Sequence, residues 1–133
     1  MVLPGIQAVF GFQLIAFFNS AFDQKMGHAG AVVHLVALIC VAIAAALTMA
    51  PAAFHRLVAP KAISERLLRQ SSRFLLASMV FLTAGLCLDV ALVARTVVGD
   101  ICAAVVTTLL GACYLLFWFI LPLRERSQHH RRT

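Results

Sequence analysis

The stretch from Ala29 to Ala50 reads AGAVVHLVALICVAIAAALTMA, and His34 is its one acidic or basic side chain. A helix rises about 1.5 Å per residue, so about 20 apolar residues cross the roughly 30 Å of hydrocarbon in a bilayer. A water-soluble helix of this length would need a wide polar face, which this stretch lacks. It therefore predicts a helix that spans a membrane.

Three further apolar segments lie on either side of this one. Residues 74–94 and 101–121 have a similar length and hold at most one acidic or basic side chain each, whereas residues 4–22 are more polar. The pattern predicts an all-α integral membrane protein, a bundle of four transmembrane helices. One membrane domain would cover residues 1–123, and a basic tail would follow at residues 124–133.

The first segment has a second interpretation, as a cleaved signal peptide. Such a peptide begins with basic residues, and no Lys or Arg precedes Lys25. The small residues of Asn19-Ser20-Ala21 would suit a cleavage site. We interpret the segment as the first of four spans, with cleavage as the alternative.

Composition indicates the same class of protein. Hydrophobic residues make up 62% of the chain and charged residues 12%, against about 25% charged in a typical soluble domain. A formal charge of +6 would suit a nucleic-acid partner, but the basic residues cluster between the apolar segments. We therefore expect the lipid bilayer as the partner and no nucleic acid.

The positions of the basic residues predict the topology. Nine of the eleven Lys and Arg follow the second or the fourth span, and short loops rich in Lys and Arg stay in the cytoplasm. Both termini are therefore predicted to be cytoplasmic, with turns at residues 23–28 and 95–100 on the other side. The nine are Arg56, Lys61, Arg66, Arg69, Arg73, Arg124, Arg126, Arg131 and Arg132.

Turn-forming and helix-breaking residues bound the spans. Gly99-Asp100 predicts the last turn on the outer side. Pro51 has no amide hydrogen, so we expect it to kink or end the second span near the cytoplasmic surface.

Polar side chains recur at one depth in the predicted bundle. A central Asp in a bilayer is disfavoured by about 2.5 to 3.5 kcal/mol, so it needs a partner. Asp89 is the one carboxylate within a span, and His34, Asn19 and Thr107 lie at a similar depth in the other spans. We predict that Asp89 and His34 approach each other, with Asn19 or Thr107 close by. The candidate proton- or ion-binding residues are Asp89, His34, Asn19, Thr107 and Gln13.

Three interpretations of this polar level stay open. An Asp beside a His in a low-dielectric interior shares a proton or forms an ion pair, so the two could relay protons or bind a cation. The same residues could instead form a structural hydrogen-bond cluster that joins the helices. Asp89 could also simply extend to the outer lipid headgroups.

A basic stripe precedes the third span. Arg66, Arg69 and Arg73 are spaced so that they fall within about 60° of one another on a helix. Each would contribute about 1 kcal/mol to the binding of anionic lipid headgroups. A specific site for a ligand or a protein is the alternative.

Small residues also recur at helical spacing, and such rows let transmembrane helices approach closely. We expect them to pack helices within or between protomers, in a homo-oligomer or against a partner membrane protein; pore lining is the alternative. The rows are Ser71, Ser78, Gly85 and Asp89 in span three, His34, Val41, Ala45 and Ala52 in span two, and Ala103, Thr107 and Gly111 in span four.

Signatures of enzymes and metal sites are absent from the sequence. It contains no HExxH motif and no Gly-rich phosphate loop, and its four cysteines form no CxxC pair. We therefore expect no metal, no cofactor and no enzymatic activity.

Two motifs near the N-terminus, Leu3-Pro4-Gly5-Ile6-Gln7 and Phe10-Gly11-Phe12-Gln13-Leu14, precede a third, Ala50-Pro51-Ala52-Ala53-Phe54-His55-Arg56. In these motifs the chain resembles, over nearly its whole length, an uncharacterised bacterial family of small four-span membrane proteins, a domain of unknown function. Some members carry an automatic sodium:proton antiporter label. The resemblance implies a bacterial inner membrane and supplies no catalytic residue.

Function follows less directly from the sequence than location does. The leading expectation is a small bacterial inner-membrane protein that acts as an oligomeric channel or transporter for an ion or proton. The alternative is a structural or accessory subunit that binds another membrane protein or anionic lipid. The basic stripe and the rows of small residues suit both.

Overall fold

A computed structural model of the chain describes residues 2–18, 20–58 and 65–120. These residues form four α-helices and one π-helical turn, and this part of the chain contains no strand. The predicted all-α fold class is therefore confirmed. The elements are α1 (Val2–Phe17), α2 (Ser20–Val58), α3 (Glu65–Val98), α4 (Asp100–Leu115) and the π-helical turn Leu116–Ile120.

Three helical stretches are long and apolar enough to cross a membrane. They are Gly27–Phe54, Arg69–Val98 and Asp100–Trp118, with mean hydropathies of 2.6, 2.2 and 2.1. The first apolar helix is shorter: α1 has 16 residues, which at 1.5 Å each span about 24 Å. The predicted segment 4–22 is thus interrupted, because α1 ends at Phe17 and α2 already begins at Ser20, in a sequence whose Asn and Ser favour a helix start.

Two glycines with positive φ make the turns between the apolar helices. Gly27 (φ 62°) interrupts the helical backbone of α2, and Gly99 (φ 88°) separates α3 from α4. Glycine adopts such angles without the steric penalty that other residues meet. The turn predicted at Gly99-Asp100 is confirmed. Of the range predicted for the other turn, residues 23–28, only Gly27 departs from the helical backbone.

Pro51 does not end α2, which continues as a helix to Val58. Of the two predicted outcomes, an end of the helix at this proline is wrong, and a kink there stays a prediction. A proline removes one backbone hydrogen bond, and the flanking alanines Ala50, Ala52 and Ala53 have the highest helix propensity of any residue. Local propensity therefore carries the helix across the proline.

The chain consists of two compact units, Met1–Asp89 and Val90–Thr133. In the first unit, one face of α2 is buried at Ala37, Val41 and Ala44, each of which is 0% exposed. This face repeats every three or four residues, as expected of a helix packed along one side. The single membrane domain predicted for residues 1–123 stays a prediction, and the predicted tail at 124–133 lies outside the described residues.

The predicted rows of small residues are partly right within this unit. His34 and Val41 of α2 and Ser78 and Gly85 of α3 are buried, as predicted. Ala52 is exposed, although it lies on the same side of α2 as His34, because the buried part of that side ends at Ala44.

Gly85 marks a close approach of α3 to α2. A Cβ atom at this position would lie 2.8 Å from Val41 Cγ2 and 2.9 Å from the carbonyl oxygen of Ala37. Only glycine leaves room for this approach. It lies one helical turn before Asp89, so it helps to bring that carboxyl group to α2.

Candidate functional site

His34 projects from α2 into the interior of the first unit and is 3% exposed. Its Nε2 lies 3.0 Å from the backbone carbonyl oxygen of Gln13 in α1. A carbonyl oxygen can only accept a hydrogen bond, so Nε2 must carry a hydrogen and donate it. The α1 backbone therefore fixes one of the two ring nitrogens of His34 as a donor.

The other ring nitrogen of His34 faces Asp89. Nδ1 and the carboxyl Oδ1 are 2.8 Å apart, which brings α2 and α3 together at this point. Because Nε2 already carries a hydrogen, the two groups hold one proton between them: an imidazolium beside a carboxylate, or a neutral imidazole beside a carboxylic acid. In both forms the pair has no net charge, which is the form that a low-dielectric interior tolerates.

Gln13 supplies a second contact to the same carboxyl group. Its side-chain Nε2 donates to Asp89 Oδ2, so each carboxyl oxygen has a partner from a different helix. Gln13 is 5% exposed, and its Oε1 is buried without a hydrogen-bond partner among the described residues. We refer to Gln13, His34 and Asp89 as the polar triad.

The polar triad lies near the C-terminal end of α1. Gln13 precedes the last residue of that helix, Phe17, by about one turn. The carbonyl groups at a helix C-terminus carry a partial negative charge, which favours a nearby cation.

The predicted approach of Asp89 and His34 is confirmed. Asp89 is partly exposed, with 18% of its side chain accessible, but both of its oxygens bind groups of α1 and α2. The interpretation in which Asp89 extends away to lipid headgroups is therefore wrong. Whether the pair binds a proton or an ion stays a prediction.

The third member of the polar triad is Gln13, not Asn19 or Thr107. Asn19 lies outside the described residues, and Thr107 belongs to the second unit, so its predicted proximity stays a prediction. Gln13 was among the candidate residues but was assigned no contact. The missed signal is the helix start at Ser20: because α1 ends before it, Gln13 lies about one turn from the end of its helix.

The basic stripe is only partly described. Arg69 and Arg73 are exposed on α3, and the side chain of Arg66 lies outside the described residues. Exposed arginines near the start of a membrane-spanning helix can bind lipid phosphate. That role stays a prediction.

The second unit contains a different acid–base pair, next to Gly99. The Nε of Arg95 donates to Asp100 Oδ1 over 2.7 Å, and these side chains are 63% and 78% exposed. An open groove lies beside the pair, and Thr107 is among its lining residues. The hydroxyl oxygen of Thr107 is buried and has no hydrogen-bond partner in the described part of the chain.

No group of three or more His, Cys, Asp or Glu side chains that could hold a metal ion occurs in the described ranges. The four cysteines, all described, are free thiols. The polar triad itself offers a proton shared by an acid and a base, beside an amide.

The long apolar helices fit a helical membrane protein. In the comparison with known families, the model of a family of unknown function, DUF6328, matches residues 1–122. The chain belongs to this family, which confirms the resemblance to an uncharacterised family. No curated protein and no solved structure matches the chain.

Proposed function

We propose that this membrane protein binds and moves protons, and that the His34–Asp89 pair is the group that carries them. One observation supports this most: the 2.8 Å contact between His34 Nδ1 and Asp89 Oδ1, buried within helices long enough to cross a bilayer. An ionisable residue within a membrane is disfavoured by several kcal/mol unless it is paired. In membrane proteins such residues mark proton relays and ion paths.

The pair has the chemistry that a proton carrier needs. Its two groups share one proton and can exchange it over a single hydrogen bond without a change in net charge. The donor roles of His34 Nε2 and of the Gln13 amide keep both groups oriented while that proton moves. A proton taken up or released here changes the charge of a buried site, so it couples to any movement that opens the site to water.

Asp89→Asn is the sharpest test, because it removes the acid and keeps the shape. The asparagine amide can donate Nδ2–H to His34 Nδ1 and accept the Gln13 N–H on its Oδ1, so the packing survives. The shared proton is lost. We expect the purified variant in liposomes to fold as before and to lose its pH-driven proton flux.

Asp100→Asn is the matched control, because it makes the same chemical change in an exposed pair. Flux should be unchanged in this variant. Proton flux in Asp89→Asn that equals the flux of the unmodified protein, with the same pH dependence, would make the pair a structural one.

The proposed topology is four crossings with both ends in the cytoplasm of a bacterium, at the inner membrane. The clustering of nine basic residues in the loop and the tail supports it. Reporters fused after Arg124 and within residues 23–28 test it. A C-terminal reporter active only in the periplasm would overturn this topology.

A homo-oligomer would suit this function. Four helices enclose little space for water, so a continuous path would form more easily between protomers. Apolar residues of α4 such as Ile101 (82% exposed) and Leu109 (62% exposed) are free to meet lipid or another protomer.

The second candidate is a structural or accessory subunit, and the exposed Arg69 and Arg73 favour it because they can bind anionic lipid or an acidic partner. Under this alternative the polar triad joins helices and moves no proton. Absence of flux from the unmodified protein under any gradient, with another membrane protein co-purifying, would support it. The liposome experiment thus separates the two candidates.

A further inference from the structure

The side-chain amide of Gln13 can exchange its hydrogen-bond donor and acceptor by rotation. Its Nε2 end donates to Asp89, and its Oε1 end is buried without a partner among the described residues. The two ends of an amide have nearly the same size but opposite hydrogen-bonding character. A half-turn about the last side-chain bond therefore exchanges donor and acceptor in the same space.

The arrangement in the structure fits a site that holds one proton between the pair. Asp89 Oδ2 accepts from the Gln13 amide, so this oxygen carries no hydrogen. The exchangeable proton lies between Asp89 Oδ1 and His34 Nδ1. The site is then neutral, and the Oε1 end of Gln13 is the group left over.

A second proton on Asp89 Oδ2 would meet the amide hydrogen of Gln13 head-on. After a half-turn of the amide, Oε1 would instead accept the new O–H. His34 would then donate from both ring nitrogens, to Asp89 Oδ1 and to the Gln13 carbonyl. Each atom of the acid and the imidazole keeps a partner, and the net charge rises by one.

We propose that the site binds this second proton and that the Gln13 amide turns to accept it. Gln13 is then a positioning residue that stabilises both the site with one shared proton and the site with two. The second proton comes from water and forms one O–H bond on Asp89. The inference rests on the proton-binding site proposed above but not on transport. A protein that moves no protons could still bind two.

His34 and Asp89 are the two members of the polar triad that can ionise. Of the three packed helices, α1 contributes the non-titrating Gln13, α2 contributes His34 and α3 contributes Asp89. The thiol Cys40 lies beside Gly85, and Cys87 is two residues before Asp89 and so about 200° away around α3. The nearest of the described arginines along α3 is Arg95, six residues beyond Asp89, and its exposed side chain pairs with Asp100.

Infrared difference spectra of the full chain at falling pH would test the proposal. Glutamine carrying a ¹³C label in its side-chain carbonyl makes the amide visible. We expect a carboxylic acid band to appear on acidification, and one labelled carbonyl to move to lower frequency over the same pH range, as Oε1 gains a hydrogen bond. Asp89→Asn should remove the first change, and Gln13→Met the second.

Gln13→Met keeps the volume of the side chain but removes both ends of the amide. The acid band of Asp89 should therefore still appear in this variant, without the accompanying change of a labelled carbonyl. Gln7→Met is the matched control, since Gln7 is exposed on the same helix and should change neither band.

Two results would overturn the proposal. One is an acid band at Asp89 with no change in any glutamine carbonyl, which would show that the amide does not turn. The other is no acid band down to the pH at which the helices unfold. Both are read from the difference between the unmodified labelled protein and Asp89→Asn, which removes the acid bands of the other four carboxyl groups, so they hold even if Gln13→Met does not fold, and neither depends on flux.

Discussion

Two acid–base pairs in the described residues have nearly equal lengths and opposite surroundings. His34 and Asp89 are 2.8 Å apart with side chains 4% and 18% exposed, and Arg95 and Asp100 are 2.7 Å apart with side chains 63% and 78% exposed. The distance between the two groups therefore does not tell which pair contributes more to stability. Water screens the exposed pair, whereas the loss of one partner leaves the other buried and unpaired in the interior.

The two pairs also differ in how much of the fold must form before their side chains can meet. Arg95 and Asp100 are five residues apart and meet across the turn at Gly99. His34 and Asp89 are 55 residues apart, and Gln13 joins them from a third helix. A short peptide could form the first pair, but the second needs three helices to pack.

His34→Ala should have the largest effect on stability, because it breaks the buried pair. Asp89 then either keeps a buried charge without its cation or must take up a proton. The expected loss is about 3 kcal/mol or more in the free energy of unfolding. Unfolding by SDS in mixed micelles measures it.

Arg95→Ala is the matched control for that loss, and the same titration should show a change below about 1 kcal/mol. Equal losses in the two variants would mean that burial does not separate the pairs.

Gly85→Ala should weaken the buried pair without touching either member. The new methyl group would lie 2.8 Å from Val41 Cγ2 and 2.9 Å from the backbone oxygen of Ala37, so α2 and α3 must separate. Overpacking of this kind costs about 1 to 3 kcal/mol. The expected result is lower stability, with an altered NMR signal of His34 as its contact with Asp89 lengthens.

Gly11→Ala is the control for the close approach. Nothing lies within 4 Å of a Cβ atom at Gly11, and the residue is within α1. Alanine there should stabilise the helix by about 0.5 to 1 kcal/mol. A loss of stability at Gly11 as large as at Gly85 would show that the effect is not one of α2–α3 contact.

Segment length and hydrophobicity were sufficient to predict the helical fold and the positions of both glycine turns. The approach of Asp89 to His34 was also predictable, because an unpaired acid in hydrocarbon is so unfavourable that depth alone narrows the choice of partner. Depth says nothing about rotation around a helix. Ala45 was accordingly predicted on the buried face of α2 but is only half-buried, whereas its neighbour Ala44 is fully buried.

Gln13 shows a second limit of the sequence. Its contact depends on where α1 ends, and helix ends are decided by a few polar residues within an otherwise apolar run. Its most specific contribution is a backbone carbonyl, which no residue type reveals. The persistence of α2 through Pro51 has a similar cause, since the surrounding alanines outweigh the breaker.

The smallest expected effect is the coupling between Arg95 and Asp100. Both residues also lie where a helix dipole favours them, Arg95 in the last turn of α3 and Asp100 in the first turn of α4. Each single substitution, Arg95→Gln or Asp100→Asn, therefore removes a dipole contribution as well as the pair. The double-mutant cycle cancels the dipole contributions and isolates the pair, for which we expect less than about 0.5 kcal/mol.

That coupling should shrink further at high salt. A coupling of about 2 kcal/mol or more at physiological salt would place this pair in a shielded environment such as an interface, and exposure in the single chain would then no longer distinguish it from the pair at His34.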